Sequence, residues 1–454
     1  MAKETGMKEK SILILGAGRS SSALITYLLE GAIEGGWHVT VGDFSIKAAE
    51  ERIGSSKKGT AIRFNIEETE RCEEIIGSAD IVISLLPAGF HPIVARLCLK
   101  YSKHLFTASY VSDEMKNFHE EAKVKGLLFM NECGLDPGID HMSAMEIIDR
   151  IKSAGGKILS FESFAGGLIA PETDPNNPWR YKFTWNPRNV VVAGQGTAKF
   201  IQEGQYKFIP YQQLFTRTTS VHIPGYGDFQ GYANRDSLKY IDAYGLRGIK
   251  TMLRGTLRNE GFCSAWNILV QLGCTDDSYL MENVNQMTNR DFINSFLPYD
   301  KEMMLEAKLA DRFNLSADGP EMQKLKWSGL FEKQHIGLEK GTPAQLLEHI
   351  LNKKWNLQPN DKDMVVMWHR FVYEIENEKR EIQSNIAAIG DDSIHTAMAK
   401  GVGLPIAITA KIFLQGKISQ RGVCIPVERE VYEPVLKELM SLGIHAQEKE
   451  TVIK

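Results

Sequence analysis

The stretch Ile12-Leu13-Ile14-Leu15-Gly16-Ala17-Gly18-Arg19-Ser20-Ser21 runs from four consecutive apolar residues into a glycine-rich turn and then into a helical pattern. A bound pyrophosphate needs this arrangement. Gly16 permits the tight turn, and Gly18 lets the backbone come close to the phosphates. The helix behind them presents N–H groups without intrahelical partners and the positive end of its dipole. Ser21 stands in the place of a third glycine and is small enough to keep helix and strand together. A lone motif of this kind is weak, but this one follows a strand, precedes a helix and is succeeded by a second strand, HVTVGD, ending in Asp43. A carboxylate there accepts hydrogen bonds from ribose hydroxyls and repels a 2′-phosphate. Asp43 or Ser45 equally serves to cap the next helix. No arginine immediately follows Asp43, so NAD is favoured, with NADP kept as the alternative.

The alternation continues through the first third of the chain. Apolar runs at Ile12–Leu15, Val39–Val41, Ala61–Phe64, Ile81–Leu85, His104–Thr107 and Leu127–Met130 are separated by helical patterns at Ser21–Glu30, Ile46–Ile53, Glu67–Ile76 and Pro92–Lys100. Near-continuous apolar strands alternating with helices imply an α/β protein with a Rossmann-type doubly wound parallel sheet covered on both faces. Residues 1–134 form that domain, completed by a helix-rich tail at 393–454. Residues 135–280 and 356–392 are read as a mixed α/β substrate domain. Within it, Asp140 is the expected N-cap of a helix stopped by Gly155-Gly156. Met364–Ile375 and Arg380–Ile389 are read as two strands joined by a turn at Glu376–Lys379. Residues 281–355 form a helical insertion, with Thr342-Pro343 starting its last helix.

At 454 residues the chain exceeds a single core. A formal net charge of −4 at pH 7 gives no basic footprint for nucleic acid or an anionic membrane. Six cysteines, at 72, 98, 133, 263, 274 and 424, contain no CxxC pair and favour reduced thiols over disulfides or a zinc site. No metal is expected. The polar start MAKETGMKEK reads as no signal peptide, and no uncharged apolar run approaches the length of a membrane helix. The expected compartment is the cytoplasm. A homodimer through the substrate domain's sheet stays open.

Six segments carry a family likeness: LFTASYVS (Leu105–Ser112), NECGLDPGIDHM (Asn131–Met142), NPWRYKFTW (Asn177–Trp185), GYANRDS (Gly231–Ser237), RGTLR (Arg254–Arg258) and TAMAKGVGLP (Thr396–Pro405). In these segments, and in their order from Ile12 onward, the chain resembles the saccharopine dehydrogenase family (glutamate-forming). The resemblance implies oxidation of saccharopine's secondary amine to an imine, with hydride passing to a nicotinamide. Hydrolysis to L-glutamate and 2-aminoadipate 6-semialdehyde follows, or the reverse condensation, in lysine metabolism. Asp136, after the sixth run, is the expected acid/base at the amine, and Tyr110, after the fifth, is expected to hydrogen-bond the same nitrogen or a substrate carboxylate. The resemblance further implies that Ser109, Tyr110, Asp136, Arg235, Thr256, Leu257 and Arg258 contact the substrate. It places Gly16, Ala17, Gly18, Arg19, Ser20, Gly42, Asp43, Phe44, Asn65, Ile66, Ala108, Ser109, Leu135, Asp136, Pro137 and Asn186 along the cofactor. Arg235 and Arg258 are the expected carboxylate clamps, because a planar guanidinium pairs bidentately.

Each of these residues has a plainer reading. Asp136-Pro137-Gly138 could be only a turn, Tyr110 a half-buried aromatic, and Arg235 a structural partner of Asp236. His141, in the first turn of a helix, is read as structural rather than as a base. The sequence also departs from the family: Ala165 stands where members commonly carry a cysteine, and His395 stands where an aromatic is usual. Two alternatives follow. One is a sister enzyme of the carboxyspermidine type, disfavoured because Lys182, Arg235, Arg254 and Arg258 suit a polyanion. The other is an inactive NAD-binding regulator, supported by Ala165 alone.

Overall fold

A computed structural model describes residues 9–453, so most of the polar N-terminal segment lies outside the described residues. The chain divides into two compact units. One ends at Ser153 and takes up Ile394–Ala446; the other comprises Ala154–Ser393 and the residues from Gln447.

In the first unit the apolar runs become β1 (Lys10–Leu15), β2 (Trp37–Asp43), β3 (Gly59–Arg63), β4 (Ile81–Ser84), β5 (His104–Phe106) and β6 (Leu128–Met130). With Gly422–Cys424 they make an all-parallel sheet in the order Gly422–Cys424, β6, β5, β4, β1, β2, β3. Every residue of β4 and β6 is buried, as expected for strands covered on both faces. The strand order reverses between β1 and β4, and ligands of such sheets bind beyond the carboxyl ends at that switch point.

Two expectations change here, and one helix bears on a third. Asp140 does not cap the helix Ile139–Ser153; it lies inside the first turn, where its carboxylate accepts from Gly138 N at 2.6 Å. That helix belongs to the first unit, so the units part after Ser153 rather than between 134 and 135. The helix Ala397–Leu414, although it carries Lys400 and Lys411, is long and apolar enough to cross a membrane by length and composition. It is 72% buried, and Phe413 meets the β5 residue Phe106 edge-on with ring centroids 5.6 Å apart. Burial of that kind marks a core helix.

The second unit is built on β7 (Lys157–Ile169), β8 (Ala198–Gln202), β9 (Gln205–Ile209), β10 (Thr218–Ile223), β11 (Gly227–Ala233) and β12 (Thr251–Asn259). Its mixed sheet runs β10, β11, β12, β7, Asp363–Ile375, Glu378–Ile389, Ala446–Val452, with β8 joined to β12 and β9 to β8. The hairpin turns at Glu376 and Asn377, both with positive φ, so the loop is two residues rather than the four expected. Ala446–Val452 thus leaves the tail expected on the first domain and lies on this sheet. Helices Asn289–Asn294, Leu305–Phe313, Pro320–Trp327 and Pro343–Trp355 occupy the expected helical insertion, and a capping box at Thr342 starts the last of them. Their buried residues Phe292, Leu309, Leu325 and Leu347 share one core with Phe164, Trp179 and Trp266. The insertion therefore has no hydrophobic core of its own.

Candidate active site

In the first unit Gly16 has φ +105°, and a Cβ there would lie 3.2 Å from the Leu85 carbonyl oxygen. Only glycine suits both constraints. A Cβ on Gly18 would meet no atom within 4 Å, which leaves a close approach to the backbone open. Arg19 and Ser20 form the turn above it. Ser21 donates its hydroxyl back to Gly18 O at 2.8 Å instead of capping, and the helix Ser22–Glu30 has no side-chain cap. Its first N–H groups are therefore not capped by a side chain, and a loop and helix start of this kind fit the phosphates of a dinucleotide.

Asp43 is engaged by the backbone. Its carboxylate accepts from Ala17 N at 2.8 Å and from Ser45 N at 2.9 Å, tying the phosphate loop to the end of β2. Ser45, not Asp43, caps the next helix by accepting from Ala48 N. Gly42 and the exposed Phe44 flank Asp43. Arg63 is the register partner of Asp43 on β3 and lies 5.6 Å over the Phe44 ring, within 3.5 Å of Glu68. Asn65 Oδ1 accepts from Glu67 N at 3.1 Å, and Ile66 packs on the unit's core.

Beyond β5 and β6 two loops meet. Residues 134–138 close on themselves through Gly134 N to Pro137 O at 2.9 Å and Ile139 N to Gly134 O at 2.8 Å, with a cis bond at Asp136-Pro137. A Cβ on Gly138 would lie 1.9 Å from Gly134 O, so the turn demands glycine there. Ala108 packs against Gly134, and Leu135 against Gly401. The turn leaves Asp136 half-buried, and Tyr110 donates its hydroxyl to Asp136 Oδ1 at 3.1 Å. The two expected acid/base residues are thus brought together.

Buried Glu132, in the left-handed region, braces this pair. It accepts from Val111 N at 2.9 Å and lies 2.9 Å from His141 Nε2, whose other nitrogen is 3.7 Å from Asp140. His141 is fully buried between two carboxylates, which fits a structural role. His91 was missed in the sequence. It starts the helix His91–Lys100 and reaches Ser84, Thr107 and Ser109 with its ring nitrogens. A histidine just after a strand's carboxyl end was the available signal.

In the second unit Thr256, Leu257 and Arg258 lie on β12, paired with Tyr232, Gly231 and Gln230 of β11. Alternation puts Thr256 and Arg258 on one face and sends Leu257 into the core with 0% exposure, so any ligand contact from Leu257 is left to its backbone. Arg258 is 3% exposed. Its guanidinium lies over the rings of Tyr181 and Phe262, at 5.1 and 5.4 Å, and donates from Nη1 to Leu257 O at 2.9 Å. Its buried Nε has no hydrogen-bond partner, and no carboxylate pairs with it among the described residues. A buried cation without a counter-ion is costly unless an anion joins it. Arg254 lies 4.3 Å over the Tyr240 ring. Arg235 is exposed in the left-handed region after β11, and Asp236 reaches Lys199 at 3.6 Å.

Two expected residues are otherwise engaged. Lys182 does not stand ready for a polyanion; it is buried between Asp174 at 2.8 Å and Asp361 at 2.7 Å. Burial alone would lower its pKa, but the two carboxylates raise it. Asn186 caps the helix Pro187–Val191 by accepting from Asn189 N. Ala165 on β7 is the register partner of Thr256 and of Met367.

Comparison with known proteins matches two family models that together take in most of the chain. Residues 12–130 match the saccharopine dehydrogenase NADP binding domain, and residues 134–444 the saccharopine dehydrogenase C-terminal domain. The chain is 32% identical to the saccharopine dehydrogenase [NADP(+), L-glutamate-forming] of Pyricularia oryzae, covering 98% of this chain and 99% of that one. It is also 32% identical to the mitochondrial alpha-aminoadipic semialdehyde synthase of Bos taurus, again over 98% of this chain but only 48% of the bovine protein, so it spans about half of that relative. Among solved structures, the apo saccharopine dehydrogenase (L-Glu forming) of Saccharomyces cerevisiae superposes with a TM-score of 0.85 at 30% identity, covering 97% of this chain and 100% of that one. On the phosphate loop, the paired Tyr110 and Asp136, and these full-length matches, the chain belongs to the saccharopine dehydrogenase family.

Proposed function

We propose that the chain is a nicotinamide-dependent oxidoreductase of lysine metabolism that interconverts saccharopine with L-glutamate and 2-aminoadipate 6-semialdehyde. The observation that carries this reading is the hydrogen bond from Tyr110 to Asp136 at the carboxyl end of a sheet whose first loop fits a dinucleotide. The cofactor supplies hydride acceptance. The chain's own residues do the rest: Asp136 takes the proton from the amine nitrogen and returns one when water adds to the imine, while Tyr110 holds the carboxylate's direction. Arg258 and Arg235 hold substrate carboxylates, and Thr256 adds a hydroxyl beside Arg258. A carboxyspermidine-type substrate is cationic and would meet the wrong charge at Arg258.

The cofactor's 2′ end has a finer reading. NAD was expected because Asp43 would meet the ribose as an anion. Both of its oxygens instead accept backbone N–H groups, and Arg63, its register partner on β3, places a guanidinium over the neighbouring Phe44 ring. The matched domain and the fungal relative carry NADP in their names. We infer NADP as the better supported cofactor, with Arg63 facing its 2′-phosphate. Compartment remains the cytoplasm on this reading, supported by six free thiols.

The test is formation of reduced nicotinamide from saccharopine with NAD and with NADP. Saturable turnover supports the reading, and none from folded protein that binds either cofactor removes it. In the same assay Arg63→Ala should raise KM for NADP about tenfold, as for a lost charged hydrogen bond, and leave NAD unaltered. Equal changes for both cofactors would take Arg63 out of the 2′ site.

A further inference from the structure

Ser109 is held at three points within the first unit. Its N–H donates to Thr107 Oγ1 at 3.2 Å, and its carbonyl accepts from Glu132 N at 3.0 Å. Its hydroxyl lies 2.8 Å from His91 Nε2. The other side of the imidazole is fixed as well, with Nδ1 3.0 Å from Ser84 Oγ, and Nε2 is also 3.2 Å from Thr107 Oγ1. Ser84 ends β4, while Thr107 and Ser109 follow β5, so one ring spans the carboxyl ends of two neighbouring strands. Ser84, His91 and Thr107 are 0, 3 and 1% exposed, whereas Ser109 is half-buried. The backbone N–H and carbonyl of Ser109 are therefore both engaged, and its hydroxyl keeps hydrogen-bonding capacity beyond His91.

We propose that His91 is a positioning residue for Ser109: by engaging the hydroxyl through Nε2 while anchored at Ser84, it sets the direction in which Ser109 meets cofactor or substrate. This rests on the reading of Ser109 as a contact residue. A neutral imidazole offers one donor and one acceptor, and a hydroxyl complements either. The alternative is that His91 merely fills space between two strands.

The two roles separate in a double-mutant cycle read as kcat/KM, for saccharopine and for the cofactor, alongside the melting temperature. Ser109→Ala and His91→Phe should each lower kcat/KM about tenfold, as for a lost hydrogen bond, and the double variant should fall no further than Ser109→Ala. His91→Gln, which keeps a donor and an acceptor, should recover most of the loss. If His91→Phe is unstable, His91→Asn carries the cycle, because its shorter amide does not reach Ser109. Full additivity, or wild-type kcat/KM in the His91 variants beside an impaired Ser109→Ala, overturns the proposal. Wild-type kcat/KM in Ser109→Ala overturns it too, but through the contact reading itself, before His91 is altered.

Discussion

In the first unit acidic side chains are fixed by backbone N–H groups: Asp43 by Ala17 and Ser45, Glu132 by Val111, Asp140 by Gly138. In the second unit two buried guanidinium groups instead lie over aromatic faces, Arg254 on Tyr240 and Arg258 on Tyr181 and Phe262. A backbone donor uses up part of a carboxylate's capacity and holds its angle, which suits a group that must pass a proton along one line. An aromatic face uses none of a guanidinium's N–H donors, and on Arg258 the buried Nε has no hydrogen-bond partner. Lys182 is the contrasting case in the second unit, held between two carboxylates as Arg188 and Arg370 also are. The contrast is between acids that brace the loops of the first unit and guanidiniums backed by aromatic faces in the second, and it can be attacked one residue at a time.

The largest effect should come from Asp136→Asn. Turnover should fall by about 10²–10⁴-fold with cofactor affinity unchanged, as for a lost acid/base group. Wild-type turnover at every pH would remove Asp136 from the chemistry. Next, Lys182→Met should leave two half-buried carboxylates without their shared cation and cost about 1–3 kcal/mol of stability, without moving the Michaelis constant of the surviving protein. A thermal melt and a saccharopine titration would show whether stability and binding part in this way. Arg258→Met should do the reverse, weakening saccharopine by about 10–100-fold with a smaller loss of stability. If Arg258→Met changes stability alone, aromatic support is no guide to anion sites here.

Smallest is a pH effect confined to the first unit's histidines. Burial pushes His91 and His104 down to about 4 from the ordinary value near 6.5, with Arg421 adding to burial at His104. Both are neutral in the folded chain, while the unfolded chain takes up protons below pH 6.5. Stability should therefore fall as pH drops from 6.5 towards 4. The melting temperature of His91→Gln should decline less steeply than that of the native chain over this window, and an equal slope would mean that His91 does not contribute.

The first unit was legible because its signals are local. Four apolar residues before Gly16, and the turn chemistry of Asp136-Pro137-Gly138, declare themselves within a few positions. What escaped is what distance in the chain hides. Gly422–Cys424 joins β6 from almost 300 residues away. Lys182 looked like a free cation because Asp361 is 179 residues further on. Asp140 looked like a cap because Asp is a good one, yet Gly138 needed its carboxylate more. His91 was invisible as a site because its partners come from β4 and β5 rather than from its own helix.

The way the chain leaves the first unit at Ser153 and re-enters it at Ile394 has a consequence for biogenesis. As the protein emerges from a ribosome, its sheet waits for Gly422–Cys424 and its core for Ala397–Leu414, until the whole second unit has been made. During that interval the hydrogen-bonding edge of β6 and the apolar surface that receives Phe413 are uncovered, an aggregation-prone state. A chain cut short anywhere between residues 154 and 396 keeps its phosphate loop and its Asp136 yet should never close the domain that carries them. Chaperone demand should accordingly concentrate on the nascent first unit, and a ribosome-stalled fragment ending near Ser393 is where holdase binding should peak.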